Sequence, residues 1–212
     1  TASSWVPPGH PLTVNILVAW TKEVEAATQG RVKFSVLPKA PVAAPQTFDA
    51  VKDGVVDAAF TVQGYTPGRF VLTKMTEFGF LGDSAESFQM LQSGVADGIF
   101  FPGESIQGFK LQSLIKHATK VPGGLYNTSF VMMMNEAKYN ALPKADRDAI
   151  DKLSGEHFAR LAGKAWDKAD AEGWEAMKAA GISIKTASPV FVAEAKPRLD
   201  PVEQAWIAEI KP

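Results

Sequence analysis

Arg69 stands directly after Pro67-Gly68 and before Phe70. A turn of that kind holds the backbone, and a planar guanidinium on a held backbone suits bidentate pairing with a carboxylate. A solvated loop arginine has the same local sequence, so both readings stand. Polar groups gather just before it, at Gln63, Gly64, Tyr65 and Thr66. A second polar stretch, Pro102-Gly103-Glu104-Ser105, follows Phe101. Glu104 fits the hydroxyl or amine of a small molecule and would repel its carboxylate. Trp5, Phe101 and Tyr126 fall at strand or loop edges, where aromatic rings either wall a pocket or pack a core. Asn127, beside Thr128 and Ser129, either exchanges hydrogen bonds with a ligand or makes a turn. His10 opens a helix next to a Pro/Gly turn and faces either a cleft or solvent. If Arg69 is not merely a solvated loop arginine, the chemistry these residue types offer is recognition of a carboxylate.

The usual catalytic signatures are missing. No nucleophile elbow, P-loop, dinucleotide glycine fingerprint or HExxH helix is present. The three histidines, His10, His117 and His157, have no metal-ligand spacing, and cysteine is absent. An α/β enzyme of the aldolase or hydrolase kind would need an acid–base or nucleophile set, and none is visible. Lys plus Arg number 22 against 23 for Asp plus Glu, so the net charge is −1 and no general attraction to nucleic acid or anionic membrane follows. No apolar run reaches the roughly 18 to 20 residues of a membrane span. Of the 212 residues, 46% are hydrophobic and 21% charged, which is globular usage with length enough for a sizeable core.

The elements that must position these groups read as α/β. A short extended stretch, Ser3–Val6, stops at Pro7-Pro8-Gly9. A helix follows from His10-Pro11, with Leu12, Ile16, Trp20 and Val24 on one stripe and Gly30 as its cap. Arg31–Leu37 alternates like a half-buried strand. Phe48–Phe60 then reads as helix, glycine turn, strand. Phe88–Phe100 repeats it forty positions on, with Phe48/Phe88, Gly54/Gly94, Val55/Val95, Asp57/Asp97 and Phe60/Phe100 in register. The repeat is either a generic turn used twice or the mark of two similar lobes. Both copies end in polar loops, and ligands bind at the carboxyl ends of strands in open α/β sheets. Ser129–Met134 is an apolar strand expected to be buried on both faces. Leu142–Ala180 reads as one long helix, with Gly155 and Gly163 as places of close packing or bending. Ile182–Thr186 is a strand, and Ser188-Pro189 caps a last helix broken near Pro197 and Pro201.

Several segments resemble the DctP-type extracytoplasmic solute-binding proteins of TRAP transporters. They are Trp5-Val-Pro-Pro-Gly-His-Pro11, Thr28–Lys33, Phe48–Asp57, Gly94-Val-Ala-Asp-Gly98, Asn135–Pro143 and the helix after it to Ile182. They fall in order along nearly the whole chain. The resemblance implies a two-lobed periplasmic binding protein, each lobe a β-sheet flanked by helices, with a long helix spanning both lobes. It implies residues 1–82 mainly in lobe 1, 83–141 mainly in lobe 2, 142–180 as the spanning helix, and 181–212 as a final strand and helix. It implies no enzymatic activity and no cofactor. The partners are a small organic acid and the membrane permease subunits that receive it, not nucleic acid, and no direct membrane insertion is needed. A two-lobed binding protein of an ATP-driven importer, or a sensor, has the same architecture.

Family members are longer. In them a large part of the second lobe, with its carboxylate-pairing arginine, lies between the segments matched here by Leu81 and Phe88, so a central segment is missing near Asp83–Ser87. The expected ligand residues are Trp5, His10, Gln63, Tyr65, Arg69, Phe101, Glu104, Tyr126 and Asn127. The aromatic share points toward an aromatic or compact hydroxy acid.

Overall fold

A computed structural model describes residues 1–66, 68–70, 93–94, 96–125 and 128–210. The chain divides into two compact units, Thr1–Pro67 with Phe130–Ala169, and Gly68–Ser129 with Asp170–Pro212.

Unit 1 is built on a three-stranded sheet of β1 (Ala2–Ser4), β2 (Ala58–Val62) and β4 (Phe130–Met134), in the order β1-β2-β4. β1 pairs with β2 in parallel and β2 with β4 antiparallel. β2 lies in the middle and all five of its residues are buried. β4 is an outer strand of the described sheet, and its residues are half-buried, not covered on both faces as expected. Its side chains alternate as a strand requires: Met133 packs on the cluster of Ala50, Val51, Val56 and Ala59, and Met132 on that of Trp20, Val24, Val32 and Ile150.

The first helix shows how a sequence pattern bends local geometry. Residues spaced by four wander around an α-helix by about 40° per step, because four residues overshoot a 3.6-residue turn. Leu12, Ile16, Trp20 and Val24 are nevertheless all buried. The chain absorbs the drift with a π-helical segment, Thr13–Val18, before the regular helix α1 (Ala19–Ala27). The wider turn keeps one stripe on the core, with Thr13 and Leu17 buried beside it. α1 ends at Gln29 and Gly30, both at positive φ, as the glycine signal implied. Arg31–Leu37 does not form the expected strand. Among the described residues only Val36 bridges β1, at Ala2. Beyond that turn, Arg31 grips the nearly buried Asp146 through Nε at 2.9 Å and a terminal nitrogen at 2.8 Å.

α2 (Thr47–Lys52) leads through Gly54 at φ +75° into β2, as read from the sequence. The second copy keeps the glycine, Gly94 at φ +72°. Residues 96–100 belong to neither sheet, so the strand expected there does not form, and Phe100 is exposed. The helical half of that copy and the join near Asp83–Ser87 lie outside the described residues.

Unit 2 holds α3 (Gly103–Gly108) and a parallel pair of strands, β3 (His117–Lys120) and β5 (Ser183–Thr186). Ile106, Leu111, Met177 and Ile182 form its core. The expected long helix is divided. α4 (Glu136–Asn140) is followed by α5 (Lys144–Lys152), and a separate α6 (Glu156–Ala179) begins after Gly155, whose φ of +54° breaks the helical path. The indole N–H of Trp20 donates to Leu153 O in this break, at 2.9 Å. The division between units falls inside α6, between Ala169 and Asp170. α7 (Pro189–Ile210) runs unbroken through Pro197 and Pro201, against expectation. Four residues apart, both prolines share one exposed face, where water can satisfy the carbonyls they leave unbonded.

Thr61 is fully buried in β2, and its hydroxyl has no hydrogen-bond partner among the described residues. Burying an unbonded hydroxyl costs stability. Thr61→Val is therefore expected to stabilise the protein by about 1 kcal/mol, read from the midpoint of chemical denaturation. A loss of stability would mean that the hydroxyl is satisfied.

Candidate functional site

Because β1 and β2 are parallel, their carboxyl ends share one edge of the unit 1 sheet. Antiparallel β4 begins at that same edge, with Phe130 opposite Val62. Trp5 follows β1 directly, and the 3-10 turn Gln63–Tyr65 follows β2 directly. The structure thus brings Trp5, Gln63 and Tyr65 to one sheet edge, each half-buried. The Trp5 ring meets Phe60 edge-on, with centroids 5.1 Å apart, and lies tilted on Phe130 at 5.4 Å. Phe130 continues to Trp166 at 4.4 Å, and Phe60 to Phe158 at 5.9 Å. Trp5 is therefore the partly accessible end of a continuous aromatic layer.

His10 belongs to the connection from β1 to the first helix and is only 2% exposed. Its Nδ1 accepts from the Leu12 N–H at 3.2 Å, so the neutral ring carries its proton on Nε2. Burial pulls its pKa down to about 4. At neutral pH His10 is an uncharged hydrogen-bond donor, not a cation.

Arg69 is exposed and belongs to unit 2. Phe101 is half-buried and packs with Phe109, centroids 6.1 Å apart, against the unit 2 core. Glu104 lies in the first turn of α3 at 2% exposure. Its backbone N–H donates to Asp170 Oδ1 at 2.9 Å, and its Oε1 accepts from the Ser105 hydroxyl. Burial pushes its pKa up to about 7; the Ser105 bond opposes the shift and the Asp170 charge adds to it. Tyr126 and Asn127 lie outside the described residues. Among the described residues no group of three or more His, Asp or Glu is placed to hold a metal, and no helix is long and apolar enough to cross a membrane.

Reading by residue type passed over the partners that hold these groups. Phe60 and Phe130 lie within the expected strands and Asp170 within the expected long helix, none of them with a motif of its own. Ser4 and Thr13 carried no motif; the one signal was a hydroxyl at position 13, directly beside the apolar stripe.

Residues 83–209, well over half of the chain, match the model of the bacterial extracellular solute-binding proteins, family 7 (DctP). A TRAP periplasmic solute-binding protein from Bordetella bronchiseptica, solved with bound (R)- and (S)-mandelate, is 31% identical. That match covers 98% of this chain and 91% of that one, with a TM-score of 0.89. A marine metagenome TRAP solute-binding protein specific for aromatic acids, solved with 3-hydroxybenzoate, is 26% identical. It covers 98% of this chain and 90% of that one, with a TM-score of 0.88. The outer membrane transporter protein TsaT of Comamonas testosteroni is 29% identical over 83 residues, 39% of this chain. That stretch spans only a quarter of the length of the curated relative, 25%.

Proposed function

The chain belongs to family 7 of the bacterial extracellular solute-binding proteins, and from that premise we propose that it is the periplasmic binding subunit of a TRAP transporter. It captures a small organic acid and delivers it, chemically unaltered, to the membrane permease subunits. The ligand class is an aromatic or compact hydroxy monocarboxylate. The observation that carries this reading is the aromatic edge of unit 1. Trp5 ends a layer of rings in edge-on and tilted contact at the carboxyl ends of β1 and β2, beside a turn bearing Gln63 and Tyr65. A ring of a bound acid gains from stacking there, and polar groups fix its orientation. The similar proteins solved with mandelate and with 3-hydroxybenzoate support the same class.

The acid's charge needs a cation, and neutral His10 cannot supply it. Arg69 is our assignment for the pairing group, with Phe101, Glu104, Tyr126 and Asn127 as further lining residues.

Thermal unfolding in the presence of mandelate, 3-hydroxybenzoate and, as a non-aromatic comparison, galacturonate tests the reading. A ligand at a hundred times its Kd stabilises by about 2.7 kcal/mol, so a true ligand moves Tm by several degrees. A shift with an aromatic acid supports the assignment, and no shift with any acid counts against it. Arg69→Met is expected to weaken binding at least tenfold, since a charge-assisted pair contributes about 1.5 to 3 kcal/mol. Unchanged affinity would remove Arg69 from the site.

A further inference from the structure

Thr13 begins the π-helical segment and is 1% exposed. Its Oγ1 lies 2.9 Å from Ser4 Oγ and 3.3 Å from Val6 O. Ser4 Oγ accepts from the Val6 N–H, at 3.4 Å, which leaves its own hydroxyl proton for Thr13 Oγ1 and that of Thr13 for Val6 O. The residues on both sides of Trp5 are therefore held: Ser4 by strand pairing with Phe60 and by the Thr13 hydroxyl, Val6 through both its N–H and its carbonyl. The indole between them is left with its contacts to Phe60 and Phe130 and with part of its surface accessible. The same helix start is clipped to His10, whose Nδ1 accepts from Leu12 N and whose carbonyl accepts from Val14 N at 3.0 Å. π-helical turns recur at functional sites, and here the wider turn brings a hydroxyl inward alongside the apolar stripe.

We propose that Ser4 and Thr13 are positioning residues: the π-helical turn delivers the Thr13 hydroxyl to the Ser4–Val6 loop and so fixes the Trp5 ring against which a bound acid stacks. The geometry of the device stands by itself; its effect on affinity rests on the solute-binding reading. A side chain held in one orientation before binding loses no rotamer freedom when the ligand arrives, so the device acts by lowering the ordering cost.

The test uses the whole chain labelled with 5-fluorotryptophan, the Trp5 signal being identified by its loss in Trp5→Phe. In the ligand-free protein, Thr13→Val is expected to shift or split the Trp5 fluorine resonance while that of Trp20 stays in place. Thr13→Ser, which keeps the hydroxyl, is expected to restore it. In titrations with mandelate, Thr13→Val is expected to weaken binding three- to tenfold, and Thr13→Ser to return it to within twofold. A single, unmoved Trp5 resonance in Thr13→Val overturns the proposal, as does failure of Thr13→Ser to restore it. A moved Trp5 signal in a protein that binds no acid supports the positioning role and overturns the solute-binding reading alone. Should Thr13→Val not fold, Ser4→Ala removes the same contact, with the same outcomes deciding.

Discussion

Gly173→Ala is expected to destabilise unit 2 by about 3 kcal/mol or more, although it is nominally a helix-favouring change. Ala is preferred to Gly inside a helix by up to about 1 kcal/mol. Packing overrides that preference at this position. A Cβ on Gly173 would sit 2.5 Å from Gly103 O and 2.9 Å from Glu104 Cα, so backbone meets backbone and no side chain can move aside. The contact is doubled, because a Cβ on Gly103 would come 2.9 Å from the Trp174 ring. α3 must leave α6 for the methyl to fit, and the cluster of Ile106, Leu111, Met177 and Ile182 opens with it. Gly163 lies on the same helix with nothing within 4 Å of its would-be Cβ. Gly163→Ala is therefore expected to stabilise by up to about 1 kcal/mol. Denaturant titration of the two variants compares one chemical change with opposite signs. Stability of Gly173→Ala within 0.5 kcal/mol of the parent would refute the close packing.

Glu104→Gln is expected to stabilise unit 2 above pH 7 and to lose that advantage in acid. In the unfolded chain the carboxyl releases its proton near the ordinary value of 4.5; in the folded chain burial holds it until about pH 7. Between those values the folded state binds more protons, so stability falls as pH rises through the window and levels off above it. The gap corresponds to about 3 kcal/mol, most of which the uncharged amide recovers at pH 8 and none at pH 4.5. His10 works in the opposite direction. Its folded pKa of about 4 lies below the ordinary 6.5, so the unfolded chain takes up the proton first and unit 1 loses stability as pH falls from 6.5 toward 4. Hydrogen exchange resolved by peptide, corrected for intrinsic rates, separates the two. From pH 7 to pH 5 the opening free energy is expected to drop around His10 and rise around Glu104. Parallel changes in both places would contradict it.

What could be read in the chain was local. The fourfold spacing of Leu12, Ile16, Trp20 and Val24 located the helix, and the same spacing held the strain that its π-helical turn relieves. Gly30, Gly54 and Gly94 marked turns because each takes a positive φ, a property of one residue. Contacts between distant residues left no such trace. Gly155 and Gly163 read as places of close packing or bending and Gly173 did not stand out, since its close contact lies with Gly103, seventy positions away. Prolines at 197 and 201 read as breaks because proline is costly within a helix, yet exposure on one face spared α7. At the site, residue types suggested an acid-binding chemistry. They did not disclose that His10 and Glu104 are buried, which decides their charge.

The central claim is reversible capture of one carboxylate without chemistry. Native mass spectrometry of the chain, incubated with an equimolar mixture of aromatic, hydroxy and sugar acids, tests it directly. The expected result is a one-to-one complex with an aromatic or hydroxy monocarboxylate, released on dissociation at its original mass. A chain that retains none of them, or that releases one at an altered mass, would contradict the account.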